Sequence, residues 1–376
     1  MRLLLITPKV DPTDDLFGHV NSWACALAQR VDRLDVVALW PGRPQLPANT
    51  RFMTLGKASD EGGAGTWRDR AGWLVRLQRI VARLCLRGEI DAVLAHMGPV
   101  FAAAAAPIAG VTGRPTFLWY AHGHVSPLLR LAHTLVRGVG TSTPEGFRIA
   151  SPKVTITGQG IDLDRFRPAD TLPVAERLLS VGRFSPVKQY GTVIDALAAP
   201  PLAAYPHLTA EFLGGVHGAH ESAHLGTLRA QAAARGLGER ITFTTGLPYA
   251  EMVPAYQRAT LFATASATGS LDKAVLEAVA CGLPAVVCNP AFRELFGSHW
   301  ADLSFGATDD AEGLAQRLAG LLERSPAERR ALALSIRAEI ARSHSVEHWA
   351  DAVIGMIRRG TEQPSGPDLV QTVGQR

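Results

Sequence analysis

Cysteine is scarce in this chain, aromatic residues make up 7% of it, and no apolar run reaches the roughly 20 residues that a membrane-spanning helix needs. The four cysteines, Cys25, Cys85, Cys281 and Cys288, are scattered without metal-type pairing. That excludes a disulfide-built scaffold and predicts packed thiols in a reducing, cytoplasmic setting. The longest apolar stretch, PVFAAAAAPIAGV, is too short to span a bilayer and is broken by Pro107. MRLLLITPK runs straight into strand-like sequence, so no targeting segment is expected. No G-x-G-x-x-G follows a strand, because GGVHGAH at 214–220 has the wrong spacing, and a nicotinamide oxidoreductase loses its fingerprint. An acidic D-x-D in a suitable loop and a histidine cluster with ligand spacing are also missing, so neither metal nor cofactor is expected. The net charge of +4 indicates a general affinity for anions, but without a basic and aromatic platform nucleic acid is not the expected partner.

What is present is a large apolar fraction, 47% of 376 residues, enough for two domains with substantial cores. Short β-branched or leucine-rich runs alternate with longer amphipathic stretches. The pattern predicts strands at Leu3–Thr7, Asp35–Leu39, Ala92–Ala95, Thr116–Tyr120 and Val154–Thr157 in the first half, and at Leu178–Val181, Ala210–Leu213, Ile241–Thr244, Leu261–Ala263 and Ala285–Val287 in the second. Strands followed by helices imply parallel sheets covered on both faces, hence an α/β protein of two doubly wound domains. Glycine, proline and charge interrupt the periodicity over 158–173, where the domain break is expected. The segment GTEQPSGPDLVQTVGQR lacks apolar periodicity and reads as a tail.

One strand-to-turn passage, SVGRFSPVKQYGTVIDALA at 180–198, carries chemistry. Gly182 permits a sharp turn, and Ser185 with Pro186 has the signature of a helix start, which puts Lys188 in a first turn. A cation there opposes the helix dipole, so local stability does not account for it. A bound anion would, because ligands of open α/β domains gather at the carboxyl ends of strands, and a diphosphate suits the Arg183 fork beside the Lys188 ammonium. Solvation of both cations on a loop is the competing reading. In SATGSLDKAVLEAVACGLPAVVCN at 266–289, the pattern predicts a helix from about Asp272 to Cys281, stopped by Gly282 and Pro284. Glu277 is the one carboxylate in its apolar middle and needs hydrogen-bonding partners, either a ribose diol or Lys273 four residues earlier. The amides of Gly269, Ser270, Leu271, Asp272 and Lys273 at the helix start form a candidate anion site.

These motifs, with GIDLDRFRP at 160–168, GERITFTTGLP at 238–248 and the strand-end histidine of LWYAHG, resemble the family four retaining glycosyltransferases. The similarity runs nearly end to end. It implies the GT-B fold, two Rossmann-like parallel-sheet domains facing across a cleft: an acceptor-side domain over 1–168, a nucleotide-sugar domain over 169–345, a helix over 346–360 packing back on the first domain, and a mobile tail over 361–376. It further implies that Arg183 and Lys188, with Gly182 beside them, hold the donor diphosphate, that Glu277 binds the ribose, and that backbone near Gly246 and Leu247 meets the base. His122 corresponds to a histidine near the reacting sugar, with His124 two residues on as a rival; His96 also ends a strand and reads as structural. Gly18 falls where the family brings a glycine-rich loop close to donor or acceptor, although Phe17 stands in place of a second glycine. A second departure is larger. The family places two glutamates with seven residues between them, and here the first position is Gly269. Asp272 is the one nearby acid able to reach in, although an ordinary first-turn acid is the simpler reading.

The expected activity is transfer of a sugar from a nucleotide diphosphate sugar to an acceptor hydroxyl of a glycan or lipid-linked acceptor, with retention. A sugar-nucleotide epimerase of the same fold and a catalytically silent sugar-nucleotide binding protein fit the same residues. The segment 66–89 aligns Arg76, Arg79, Arg83 and Arg87 on one helical face and Trp73, Leu77, Ile80, Val81 and Leu84 on another, which suits either a domain helix or peripheral contact with anionic lipid on the inner face of a membrane.

Overall fold

A computed structural model describes residues 1–57 and 67–362. Twelve strands among the described residues form two all-parallel sheets. The first has the order β3-β2-β1-β4-β5-β6-β7, with β1 Arg2–Thr7, β2 Arg33–Ala38, β3 Thr50–Thr54, β4 Ala92–His96, β5 Thr116–Trp119, β6 Gly138–Thr141 and β7 Val154–Ile156. The second has the order β10-β9-β8-β11-β12, with β8 Arg177–Val181, β9 Thr209–Gly214, β10 Ile241–Thr245, β11 Leu261–Thr264 and β12 Ala285–Val287. Helices cover both faces of each sheet, so central strands such as RLLLIT and LFAT are apolar on both sides and almost wholly buried. The fold is GT-B.

In each sheet the strand order reverses once, between β1 and β4 in the first and between β8 and β11 in the second. The crevices at these reversal points, beyond the carboxyl ends of the strands, are where such sheets hold ligands. The chain leaves the first sheet after β7 through Gly158 and Gly160, both with positive φ. Gly160 has no alternative residue, since a Cβ there would stand 2.6 Å from the Trp23 indole nitrogen. The chain returns at Ser345, which bridges Ile161, and the helix Val346–Glu362 then packs on the helix His19–Ala28 and on β6. Trp349, 1% exposed, stacks on Trp23 with ring centres 4.1 Å apart, and Trp119 meets Trp23 edge-on at 4.7 Å. Each such pair adds about 0.5–1.5 kcal/mol beyond simple burial.

Local expectations change at Ser185–Pro186 and through two added strands, while the 66–89 segment takes the domain-helix reading. The Ser185–Pro186 start does not open an α-helix: Pro186–Lys188 is a single 3-10 turn, Ser185 makes no side-chain cap bond, and Gln189 adopts a left-handed conformation before the helix Tyr190–Ala198 begins. Lys188 is therefore in a tight turn and not in a helix dipole's field. Two strands are added: TRFMT at the edge of the first sheet, and GVGT between β5 and β7, its two glycines packed against Phe117 and Trp119. In Trp67–Leu86, Leu77, Val81 and Leu84 are buried in the first domain's core, so the amphipathic face is occupied by the protein itself. Thr66, the first residue of that segment, and the tail from 363 lie outside the described residues. No described helix is long and apolar enough to cross a membrane.

Candidate active site

The two reversal points face each other across a cavity of about 120 Å³ lined by Asp15 and Leu16 from the loop after β1, and by Gly182, Arg183, His217 and Leu247 from the second domain. Gly182 has φ +152, and a Cβ there would stand 2.5 Å from Lys188 Cε, so glycine lets the lysine fold back along its own strand end. Lys188 Nζ is ion-paired with Asp272 Oδ2, both side chains being less than a fifth exposed. Asp272 also caps the helix Lys273–Ala280 by accepting from Ala274 N. The strand-end lysine and the acid before the Glu277 helix thus meet although 84 residues separate them. Arg183 is held loosely: its side chain is 52% exposed and its contact with Glu221 is 3.4 Å. Such a surface pair contributes about 0–1 kcal/mol, leaving the guanidinium free to reorient.

Glu277 is 4% exposed, and its two oxygens accept from Tyr249 Oη at 2.9 Å and Tyr256 Oη at 3.0 Å. Burial pushes its carboxyl up to about 7, and Lys273 and the two phenols act in the opposite direction. Both tyrosines are pushed well above their ordinary value, first by burial and then by the carboxylate. In this conformation the carboxylate is a packing anchor held by residues that its own helix spacing does not announce. Lys273 does not pair with it through a hydrogen bond. Its ammonium lies 4.3 Å from the centre of the Trp23 ring, across the domain boundary, and Nζ has no hydrogen-bond partner. Burial brings Lys273 down to about 7. His96 and His19 share this region; both are lowered, His96 to about 3, by burial first and then by Lys273. His96 Nδ1 bonds Thr7 Oγ1 at 2.9 Å, tying β1 to β4, while its Nε2 is buried without a partner.

His122 is exposed on the loop after β5, and its Nδ1 accepts from His124 N at 3.1 Å, which leaves Nε2 as the ring's donor in the neutral form. Its pKa is lowered by burial, then by His124, Arg183 and Arg148. Gly18 begins the His19 helix with an ordinary φ of −54, so its requirement is space: a Cβ there would press into Tyr249, the residue that holds Glu277. Leu247 lines the cavity, and Gly246, just after β10, has φ +69 in open space. Gly269 has φ +80 and faces Arg148 of the first domain. The carbonyl of Ser270 accepts from Asn289 and that of Leu271 from Gln159, which fixes the approach to the helix from both domains. The structure brings Arg183, Lys188 and Asp272, with the loop over 269–272, to one crevice; it sets Lys273 and Gly18 into the domain contact instead. Tyr249, Tyr256, Asp15 and Arg148 were not legible in the sequence, because each acts on a partner far along the chain.

Two facing parallel-sheet domains with a cationic crevice between them make up the GT-B architecture. Residues 171–335 match the family model described as glycosyl transferases group 1. A D-inositol 3-phosphate glycosyltransferase of Mycobacterium avium is 29% identical over 220 residues, 56% of this chain and 50% of the relative. The one from Mycobacterium bovis is 31% identical over 143 residues, 36% of this chain and 28% of the relative. The chain thus spans about half the length, or less, of the curated relatives it matches. Sucrose-phosphate synthase from Thermosynechococcus elongatus superposes with a TM-score of 0.75 at 16% identity, covering 96% of this chain and 98% of that one. Anabaena HepE in complex with UDP-glucose superposes at 0.72, also at 16% identity, covering 96% and 100%.

Proposed function

We propose that the chain transfers a sugar from a nucleoside diphosphate sugar to an acceptor hydroxyl, the second domain holding the donor and the first presenting the acceptor. The observation that carries this reading is the convergence of Arg183 and Lys188 at the reversal point between β8 and β11, beside the start of the Glu277 helix. Lys188 is kept in place by Asp272 until a diphosphate supplies a stronger anion. Arg183 is free to join it. As the bond between the anomeric carbon and the β-phosphate oxygen breaks, the electron pair stays on the diphosphate, and both cations stabilise that growing charge more than they stabilise the bound donor. The acceptor oxygen bonds the anomeric carbon, and its proton passes to the departing diphosphate. His122 Nε2–H is the nearby donor for a sugar hydroxyl. Ribose hydroxyls reaching Glu277 meet oxygens that each accept one bond already and keep a further lone pair.

Retention at the anomeric carbon follows from the family resemblance and is read from the product's anomeric configuration by NMR. The HepE complex with UDP-glucose makes uracil the first base to try. If the acceptor is lipid-linked, attachment to an anionic membrane would use the exposed Arg79, Arg83 and Arg87, since the apolar face of that helix is already covered. The test is a panel of UDP, GDP, ADP and deoxythymidine diphosphate and their sugars in a thermal-shift assay, followed by transfer assays with Arg183→Ala and Lys188→Ala. Each variant should lose about 100-fold or more in turnover. Stabilisation by none of these compounds would refute the reading. Binding without consumption of an acceptor would move it to the epimerase or the silent binding protein.

A further inference from the structure

Arg148 follows the 3-10 turn Pro144–Gly146 after β6 and reaches across the cleft. Its guanidinium is set between two glycines from opposite domains. A Cβ added at Gly123 would stand 3.0 Å from its Cζ, and one added at Gly269 would stand 2.7 Å from its Nη2. Any side chain at either position would therefore displace the arginine. Its one hydrogen bond is a long one, Nη2 to Thr268 O at 3.4 Å, and it pairs with no carboxylate among the described residues. The other acids at this mouth are engaged: Asp272 with Lys188, Glu221 with Arg183, and Asp15 beside His217 at 3.6 Å. His122 lies within the electrostatic reach of both Arg183 and Arg148, so the three groups belong to one site.

A diphosphate would occupy Arg183 and Lys188. Arg148 is left over, a planar fork with one long bond to Thr268 O and no anion to answer, at the point where the loops of the two domains approach. We propose that Arg148 receives an acidic group, carboxylate or phosphate, carried by the sugar end of one of the two substrates, and that the glycines at 123 and 269 make room for this. A neutral hexose gives a guanidinium no charge to answer, whereas a carboxylate or phosphate matches its fork with two parallel hydrogen bonds. The inference rests on the function proposed above. The acidic group belongs either to the transferred sugar, as in a hexuronic acid donor, or to the acceptor, as in a sugar phosphate.

Isothermal titration of the full chain separates these sources. The donor arm compares UDP, UDP-glucose and UDP-glucuronate, with the GDP series used if UDP does not bind. The acceptor arm compares glucose with glucose 6-phosphate in the presence of the nucleoside diphosphate. The acidic ligand should bind about tenfold more tightly than its neutral counterpart in one arm. Arg148→Gln, a change at an exposed side chain, should abolish that preference while leaving the nucleoside diphosphate within about twofold of wild type; Arg148→Lys should restore part of it. A preference in the donor arm assigns the acid to the donor, and one in the acceptor arm assigns it to the acceptor. Equal binding of acidic and neutral ligands in both arms overturns the proposal, as does an Arg148→Gln variant that weakens the bare nucleoside diphosphate just as much. Failure of every nucleoside diphosphate to bind refutes the transferase reading and this inference with it; binding without preference removes this inference alone.

Discussion

Replacing Tyr256 with phenylalanine removes one hydroxyl and leaves the ring in its place, against Phe166 and Phe262. What is lost is the donor at 3.0 Å to Glu277 Oε2, a bond to a carboxylate only 4% exposed. A hydrogen bond to a charged group contributes about 1.5–3 kcal/mol, against about 0.5–1.5 kcal/mol for a neutral pair. Glu277 is pushed from 4.5 up to about 7, so it is mostly neutral at pH 5.5 and mostly charged at pH 8.5. Its raised pKa means that folding takes up a proton between about pH 4.5 and 7, and the stability that the protonated form contributes is lost as pH rises through 7. Removal of the phenol raises the pKa further and extends that loss. Tyr256→Phe should therefore cost about 2 kcal/mol at pH 8.5 and under about 1 kcal/mol at pH 5.5, measured as the shift in denaturation free energy. In the Glu277→Gln background the cost at pH 8.5 should fall by about 1 kcal/mol. Equal costs at the two pH values, or no coupling to position 277, would refute the claim that a charged carboxylate is held by the phenols.

Gly18→Ala should destabilise the protein by about 1–3 kcal/mol through the clash with Tyr249, read as a lowered melting temperature; an unchanged value would show that the domains separate there easily. Lys273→Met exploits a lysine lowered from 10.5 to about 7 by burial. The folded state binds fewer protons than the unfolded state between those values, so wild-type stability rises with pH, and the advantage of the methionine variant should shrink from pH 7 to about pH 10; a constant gap would contradict the burial of that ammonium. Asp272→Ala should cost about 1 kcal/mol for the lost helix cap yet bind a nucleoside diphosphate at least as tightly as wild type, because Lys188 is released. Weaker binding in that variant would mean that the acid positions Lys188 for the ligand.

Central strands such as LLLIT and LLSV announce themselves because a parallel strand buried on both faces is predominantly apolar, and their positions in the sequence matched the two sheets closely. GVGT escaped because two glycines weaken any strand signal; its place is dictated by Phe117 and Trp119 beside it. TRFMT escaped because it is an edge strand with three half-buried residues and two exposed ones. Within the crevice, Arg183 and Lys188 were legible as cations that local structure did not explain. The helix assigned around Lys188 was not there, since a proline at the expected first position served a 3-10 turn equally well. Glu277 stood out as a lone acid in an apolar helix, but its partners lie 28 and 21 residues away and no spacing rule connects them. The surroundings of Lys273 come from the other domain, which a reading along one chain segment does not reach.

The helix Val346–Glu362 is synthesised after every strand of the second sheet, yet Trp349, Val353 and Ile357 complete the core beneath the first. Before the ribosome reaches them, Trp23 and Trp119 lack their closing neighbour, and the first domain is an unfinished structure waiting on a helix encoded after the second. Domains of many proteins mature in the order of translation. Here the amino-terminal half has to mature last, so a nascent chain halted near residue 345 should present a loose first half beside a compact second one.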